Sequence, residues 1–496
     1  MKISENRLKS VSLGHIKTYA CLALLSAISA GYLFLSTGFG FGTTPDSVVY
    51  IGAARSLLLG QGFGFPSGIE SPSPITNFPP LFPTALAAIG FFGIDPLDAA
   101  RLFNVALFAV NIYLAGLLVY EATDSTAAIA VSAVMWISPA LLITHSMVWS
   151  EPLFLLLVLI AAFGTPRYIN NSSSTALLLV GATAFLGPLV RYAGISLTFA
   201  AIFTVARKNL KHAAVVAFAG GVGLVGWLIR NHFVAGDLAN RRLVFHLPAM
   251  ADLAFASNTA LEWVGGLFLT VLFAALLIFT VLNHQPAIMV PKRYGIFLVS
   301  FAVVYLVVLA ISLFFGDAQV PLDHRILSPL YLVAALYASI FIVVRAQAKF
   351  LQLAWVAFVV VLFVAHSWTA MGWLDRVSTQ GVGFSSAQWR QSATMDYLRR
   401  TKGMSQIYTN APDSVYLLAG LPASMLPRHI DPGTRLVNPE YSKQISRIGH
   451  HGGFVAYFRR VTWRWYLPTE ERLTCELHLQ LLADLGDGAV YQIPPR

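Results

Sequence analysis

Apolar residues in this chain come in long, nearly unbroken runs separated by short polar stretches. A run of about 18 or more is long enough to cross the ~30 Å hydrocarbon layer of a bilayer as a helix. About eleven runs are present, near residues 18–37, 98–120, 126–145, 150–164, 174–190, 192–206, 212–230, 262–282, 294–315, 326–345 and 349–371. The fourth to sixth are short and closely spaced. The stretch 80–93 is apolar but too short to span, and reads as a helix lying at the membrane interface. Between the first two runs, a Gly-, Pro- and Ser-rich loop covers 38–97. Within it, the apolar spacing from Pro45 to Leu59 is helical, with Pro45 at a natural first-turn position. A second sizeable loop covers 231–261. After Met371 hydrophobicity falls, and 372–496 reads as a small α/β domain: helices near 387–401 and 412–419, strands near 405–409, 453–458 and 489–493. The expected architecture is a polytopic α-helical membrane module, 1–371, followed by this α/β domain.

Composition agrees with that class. The chain is 56% hydrophobic and 11% charged, against about 25% charged residues in ordinary globular domains. Charge also orients the runs, because Lys and Arg accumulate in short cytoplasmic loops. With the N-terminus inside, Lys2, Arg7, Lys9, Lys17, Arg167, Arg207, Lys208, Lys211, Lys292, Arg293, Arg345 and Lys349 all fall on the cytoplasmic side, including every lysine before residue 372. Asp46, Glu70, Asp95, Asp98, Glu151, Asp237, Asp252, Glu262, Asp317 and Asp323 fall outside; among the loops, only Glu121 and Asp124 are inside. An odd number of spans then puts 372–496 outside the membrane, as in a bacterial inner or plasma membrane protein with an extracytoplasmic C-terminal domain. The net charge of +10 is thereby explained by anionic inner-leaflet lipid and calls for no nucleic acid.

Several chemistries drop out. Cys21 lies in the first run and Cys475 in the outer domain, so the two cysteines have no reason to pair, and no metal-ligand spacing is present. GFGFG at 38–42 does not follow a soluble strand and is no phosphate loop. The basic start followed by an apolar run resembles a signal peptide, but apolar character continues to about Phe41, which favours an uncleaved first span.

Ionisable groups at a membrane-embedded helix end are kept mainly where they line a cavity or pair with each other. Four stand at the outer face: Asp46, Glu151, Arg191 and Arg325. Arg230, Arg241 and Arg242 add cations there, and His145 and His324 lie nearby. Carboxylates can take a proton from an attacking hydroxyl as general base. Arginines can bind a phosphate leaving group through paired hydrogen bonds. A lipid-linked phosphosugar suits this location, with its sugar in an outer cavity and its tail in the bilayer. Structural readings remain beside these: snorkelling anchors for Arg191 and Arg325, helix caps for Asp46 and Glu151, a solvated pair for Arg241 and Arg242, and structural histidines.

An ordered set of motifs runs through the same residues. Asp46, Tyr50, Ala53, Ala54, Leu57, Gly60, Gly62 and Phe63 form the first. PPLFP at 79–83, SEPLF at 150–154, VRYAG at 190–194 and HRILSPLY at 324–331 follow. Over about 18–371 the chain resembles the GT-C superfamily of membrane glycosyltransferases. The branch it is most similar to is that of the dolichyl-phosphate-mannose protein mannosyltransferases and bacterial aminoarabinose transferases (glycosyltransferase family 39-like). The resemblance implies transfer of a hexosyl or pentosyl group from a polyprenyl-phosphate donor to a hydroxyl of a glycan, lipid or protein acceptor. It implies Asp46 as the catalytic acidic residue of the first outer loop, the candidate general base, and Glu151 as the second catalytic carboxylate of the outer face. Arg325, Arg191, His324, Tyr50 and Arg230 are the substrate-binding candidates. Many members carry two adjacent acids in the first loop, whereas here Asp46 is followed by Ser47. One carboxylate makes a weak divalent site, so no metal ligand is assigned and dependence on a divalent cation stays open. Two rivals also stay open. A lipid-linked glycan transporter would show inverted repeats and mid-membrane charges. A non-catalytic membrane scaffold would not need Asp46 and Arg325 to face one cavity.

Overall fold

The computed structural model describes residues 2–65, 73–239, 243–282, 292–316, 320–346, 348–401, 404 and 406–494. Glu70, Arg241, Arg242 and Asp317 lie outside these residues. Helices follow one another along most of the chain: α1 (Lys2–Ser36), α2 (Pro45–Leu58), α3 (Leu81–Gly90), α4 (Pro96–Ala122), α5 (Ser125–Ile137), α6 (Pro139–His145) and α7 (Glu151–Asn171). Next come α8 (Ser174–Val190), α9 (Ile195–Ala206), α10 (Leu210–Ala235), α11 (Met250–Glu262), α12 (Leu267–Leu282), α13 (Lys292–Ile311), α14 (His324–Arg345) and α15 (Lys349–Thr379).

Local chemistry starts many of these helices where the apolar runs begin. Asp95 accepts from Leu97 N at 2.9 Å with Pro96 next in line, Asp124 accepts from Ala127 N, and Asp323 accepts from Ile326 N at 3.1 Å. Each cap satisfies a backbone N–H that the helix leaves without a partner. Proline at the first helical position loses nothing, because its missing N–H would be an orphan there.

Among the described residues, seven helices are long and apolar enough to cross a membrane, or up to nine if each of two bent pairs is one span. The pairs are α5 with α6, bent by 57° at Ser138–Pro139, and α11 with α12, bent by 67° across Gly265 and Gly266. By length and composition the count is thus seven to nine, against about eleven runs in the sequence. The difference lies in α8 and α9, which are 17 and 12 residues long and fall short of a full span at 1.5 Å rise per residue. Both nevertheless run between the same ends as α7. Arg191, just after α8, pairs with Glu151 at the start of α7. Lys208, just after α9, donates to the carbonyls of Tyr168 and Ile169 near the end of α7, at 2.9 and 2.6 Å. The stretch 80–93 forms the short helix α3, as its length implied.

The bundle is sorted by end. At one end Arg167 pairs with Glu121 at 2.5 Å, Tyr294 donates to Glu121, and Thr18 donates to Ser125. At the other lie Asp46, Glu151, Arg191, His324 and Arg325 with their partners. Large apolar side chains between the ends form the main core, among them Phe108, Phe154, Phe297 and Phe301.

After α15 come α16 (Ala387–Arg390), α17 (Ala393–Arg400), α18 (Pro412–Ala419), α19 (Tyr441–His451) and α20 (Glu470–Leu477). The strands are a two-residue pair in the first long loop, β1 (Gly64–Phe65) and β2 (Ser73–Pro74), and five near the C-terminus: β3 (Ile407–Thr409), β4 (Ala423–Met425), β5 (Gly453–Phe458), β6 (Gln480–Asp484) and β7 (Gly488–Ile493). The five form one mixed sheet in the order β4-β3-β5-β7-β6. β3 runs parallel to β4 and β5, and β7 antiparallel to β5 and β6. The sequence pattern had indicated three of these strands. β4 has three residues and β6 is mostly exposed, so neither leaves a strong apolar signature.

The sheet packs onto the first long loop. Val48 of α2 lies in the same apolar cluster as Trp389, Met395, Val415 and Phe458. Phe384 N donates to Thr43 O at 3.0 Å, and Thr43 Oγ1 meets Ser385 Oγ at 3.0 Å. This approach demands a glycine: Gly383 has φ +62°, and a Cβ there would stand 1.8 Å from Thr43 O.

Candidate active site

The site is built around the first turn of α2. Thr44 caps the helix in a reciprocal arrangement with Ser47, whose hydroxyl accepts from Thr44 N at 3.0 Å and donates to Val148 O at 2.8 Å. Gly42 and the segment 146–148 pair through backbone bonds of 3.1 and 2.8 Å. Asn104 donates to Met147 O and Trp149 O from the other side. The start of α2 is thereby tied to the turn that leads into α7. Asp46 projects from α2 and Glu151 from α7, so the acids come from neighbouring, mutually braced helix starts.

Two arginines from elsewhere close on them. Arg325, in the first turn of α14, places Nη1 2.6 Å from Asp46 Oδ2 and Nε 2.5 Å from Glu151 Oε1. Arg191 pairs with Glu151. Four positions singled out in the sequence therefore form one continuous chain, Asp46–Arg325–Glu151–Arg191. Their environments differ: the Glu151 side chain is 1% exposed, Arg325 12%, Arg191 14% and Asp46 33%. Burying an ion costs several kcal/mol even when it is paired. Glu151 Oε2 and Arg191 Nε are moreover buried without a hydrogen-bond partner among the described residues. The accessible acid of the chain is Asp46.

The surroundings hold this geometry. The Trp149 ring lies 4.9 Å from the Arg325 guanidinium carbon and its Nε1 donates to Thr44 Oγ1 at 2.9 Å. Tyr305 donates to Ile326 O at 2.7 Å, beside Arg325. Tyr50 is buried edge-on to Phe78 and Phe82, with its hydroxyl 3.4 Å from Ser150 Oγ. Burial, reinforced by the Asp46 charge, pushes the Tyr50 hydroxyl up to about 12, so it stays protonated and available as a donor. Gly52 lets α2 sit against the loop: a Cβ there would lie 2.5 Å from the Phe65 ring.

Other candidates make their contacts elsewhere. His324 Nε2 faces Glu262 Oε2 at 2.7 Å, which ties the start of α14 to α11. Arg230 donates to Ile75 O and Phe63 O at 2.9 and 3.1 Å and lies over Trp227, tethering the first long loop to α10. His145 is buried against Asn111 and Leu141 O as a core residue. Sequence reasoning had not singled out Trp149, Ser47 or Glu262. Trp149 immediately precedes SEPLF and could have been flagged by that position; nothing in the sequence links Glu262 to His324.

The donor set does not suit a divalent cation. Among the described residues no group of three or more His, Cys, Asp or Glu side chains could hold a metal ion. Asp46 and Glu151 face Arg325, and Glu151 also faces Arg191, so an ion placed there would meet two fixed cations.

No family model matches the sequence, and no curated protein sequence matches it. Solved structures do resemble it. ArnT from Cupriavidus metallidurans bound to undecaprenyl phosphate superposes with a TM-score of 0.61 at 11% identity, covering 95% of this chain and 97% of that one. The archaeal oligosaccharyltransferase AglB from Archaeoglobus fulgidus, in complex with an inhibitory peptide and a dolichol-phosphate, gives 0.54 at 11% identity over 97% of this chain and 74% of that one. The arabinofuranosyltransferase AftD from Mycobacteria gives 0.53 at 15% identity over 96% of this chain and 40% of that much longer one. At such identities the likeness is one of architecture: this chain shares the fold of ArnT, AglB and AftD.

Proposed function

We propose that this protein is a membrane glycosyltransferase. It moves a sugar from a polyprenyl-phosphate donor to an acceptor hydroxyl at the end of the bundle that carries the charged chain. The observation that carries the reading is the accessible Asp46 carboxylate held 2.6 Å from the shielded Arg325 guanidinium. A base and a phosphate-binding cation thus stand side by side where a lipid-linked donor would place its phosphate and sugar. Two of the similar structures hold a polyprenyl phosphate, undecaprenyl phosphate in ArnT and dolichol-phosphate in AglB.

The steps follow from the residues. The donor phosphate binds the Arg325 guanidinium and competes with Asp46 for it, which frees the carboxylate. Asp46 accepts the proton of the acceptor hydroxyl as its oxygen attacks the anomeric carbon. The bond from that carbon to the phosphate oxygen breaks, and its electron pair leaves with the polyprenyl phosphate anion, stabilised by Arg325 and Arg191. Glu151 takes a positioning role in this reading, because its buried carboxylate is enclosed by both arginines. No step requires a metal ion. His324 and Arg230 support the site by fixing α14 and the first long loop.

The same reading includes eleven crossings, counting α8 and α9, with a cytoplasmic N-terminus and residues 372–496 outside. The sorting of ion pairs by end supports this. Reporter fusions at Lys349 and after Thr379 are expected to report opposite sides of the membrane, and same-side signals would remove the orientation.

The chemistry is tested with purified protein in lipid nanodiscs and a panel of undecaprenyl-phosphate hexoses and pentoses. Release of undecaprenyl phosphate is measured with and without Asp46→Asn. Asparagine keeps the shape of the side chain but cannot act as a base at neutral pH. Turnover should fall by about 10²–10⁴-fold while donor binding persists. Unchanged turnover would leave Asp46 a helix cap. Mass spectrometry of surface glycans and lipids, with and without the gene, then identifies the sugar and acceptor.

A further inference from the structure

A cavity opens between α11 and the loop that follows β5. Its volume is about 760 Å³, and its lining includes Asp252, Phe255, Leu322, Arg435, Trp463 and Trp465. Ligand cavities typically measure about 300–1,000 Å³. The two tryptophans come from the sequence Trp463-Arg464-Trp465. Arg464 is buried, donating to Asn410 O at 2.7 Å and pairing with Asp413. That anchor leaves the flanking indoles 48% and 47% exposed. Two large aromatic faces are therefore left open beside an anchored arginine.

The far wall belongs to the catalytic module. Thr259 of α11 donates to Leu322 O at 3.2 Å, and Glu262 of the same helix holds His324. Leu322, which lines the cavity, is three residues before Arg325. A polar pair completes the walls: Asp252 and Arg435 stand 3.8 Å apart, one from α11 and one from the loop after β4.

We infer that this cavity is the acceptor subsite, and that it binds a glycan through Trp463 and Trp465. Sugars present flat C–H faces that stack on indole rings and a rim of hydroxyls that pair with carboxylate and guanidinium groups. The walls offer both kinds of partner. A peptide strand would instead need a free sheet edge, and none of the lining residues lies in one of the described strands. The inference rests on the glycosyltransferase reading for the word acceptor, but the binding event itself does not depend on transfer.

The test uses the full-length protein in nanodiscs, immobilised neutral oligosaccharides as one probe and undecaprenyl phosphate as the other. The variants are Trp463→Ala with Trp465→Ala, and Trp463→Phe with Trp465→Phe. Oligosaccharide binding should weaken by about tenfold or more in the double alanine variant and recover in the double phenylalanine variant. Undecaprenyl phosphate binding should be equal in the intact protein and both tryptophan variants, which also reports folding. Failure of the intact protein to retain any oligosaccharide, or equal retention by the alanine variant, overturns the inference. So does a parallel loss of undecaprenyl phosphate binding, since the indoles would then serve the donor or the membrane surface. Glycan binding without any transfer would overturn the transferase reading and leave this site standing.

Discussion

Two arginines in this protein do the same thing in different surroundings. Arg325 bridges Asp46 and Glu151 at the end of the helical bundle, at 2.6 and 2.5 Å. Arg459 bridges Glu470 and Asp484 at the edge of the C-terminal sheet, at 2.9 and 2.7 Å. Around Arg459 the side chains reach 36%, 15% and 52% exposure, so water and salt screen the pairs and they contribute little. Around Arg325 the corresponding exposures are 12%, 1% and 33%. There the ions are costly to bury and costlier to separate. An exposed bridge is a convenient tie between β6 and α20. A buried bridge that leaves one acid partly open to solvent is a poor way to join helices, and in the proposed reaction it holds a base next to the phosphate site.

The comparison is broken or sharpened by exchanging matched residues. The largest contrast should be in turnover. Asp46→Asn is expected to lower it by about 10²–10⁴-fold, while Asp484→Asn leaves it unchanged, both read as undecaprenyl phosphate release from the same donor. Equal effects would deny the buried bridge any special role.

Stability comes next. Glu151→Gln leaves Arg191 and Arg325 without their shared counter-charge and should destabilise the fold by about 3–5 kcal/mol. Thermal unfolding should show it as a large drop in midpoint, against a small one for the more exposed Glu470→Gln. If both substitutions shift the midpoint alike, burial does not set the strength of the bridge.

Donor affinity should separate the two arginines by a smaller margin. Arg325→Ala is expected to weaken undecaprenyl phosphate binding by about tenfold to a hundredfold, the worth of a charged hydrogen bond. Arg325→Lys should rescue only part, because an ammonium lacks the planar fork. Arg459→Ala should leave the affinity as it is, and a loss there would place the donor elsewhere.

The smallest effect concerns pH. Hydrogen bonds from Arg459 hold the Asp484 carboxyl below its ordinary range. A depressed folded-state value contributes stability that is present above the unfolded value and lost as pH falls through the folded one. Arg459→Ala should therefore flatten the acid limb of the stability profile, most visibly at low salt. An unchanged acid limb would show that the bridge is fully screened.

Much of this was legible in the chain itself. Asp46, Glu151, Arg191 and Arg325 could be picked out because each is a charge at the edge of an apolar run, where hydrocarbon makes charge expensive. Their pairing was not legible, since they come from four segments up to 279 residues apart and nothing local says that Arg325 meets both acids. His324 and Arg230 had the same positional signature, yet one turns to Glu262 and the other to the carbonyls of Phe63 and Ile75. Position in a run places a side chain at a membrane end; its rotamer and its neighbours decide which cavity it serves.

The sequence alone determined that the chain is a membrane protein, which stretches are apolar enough to lie in the bilayer, and which charges share an end. Those properties follow from one-dimensional constraints: bilayer thickness sets run length, and the cost of burying charge sorts ionisable residues to the ends of runs. Packing decided the rest. It bent α5–α6 and α11–α12, set the C-terminal sheet against Val48 and brought Trp463 and Trp465 across from Asp252 and Phe255. These depend on contacts between distant segments, and the energy of such a contact is a property of both partners that neither stretch of sequence carries by itself.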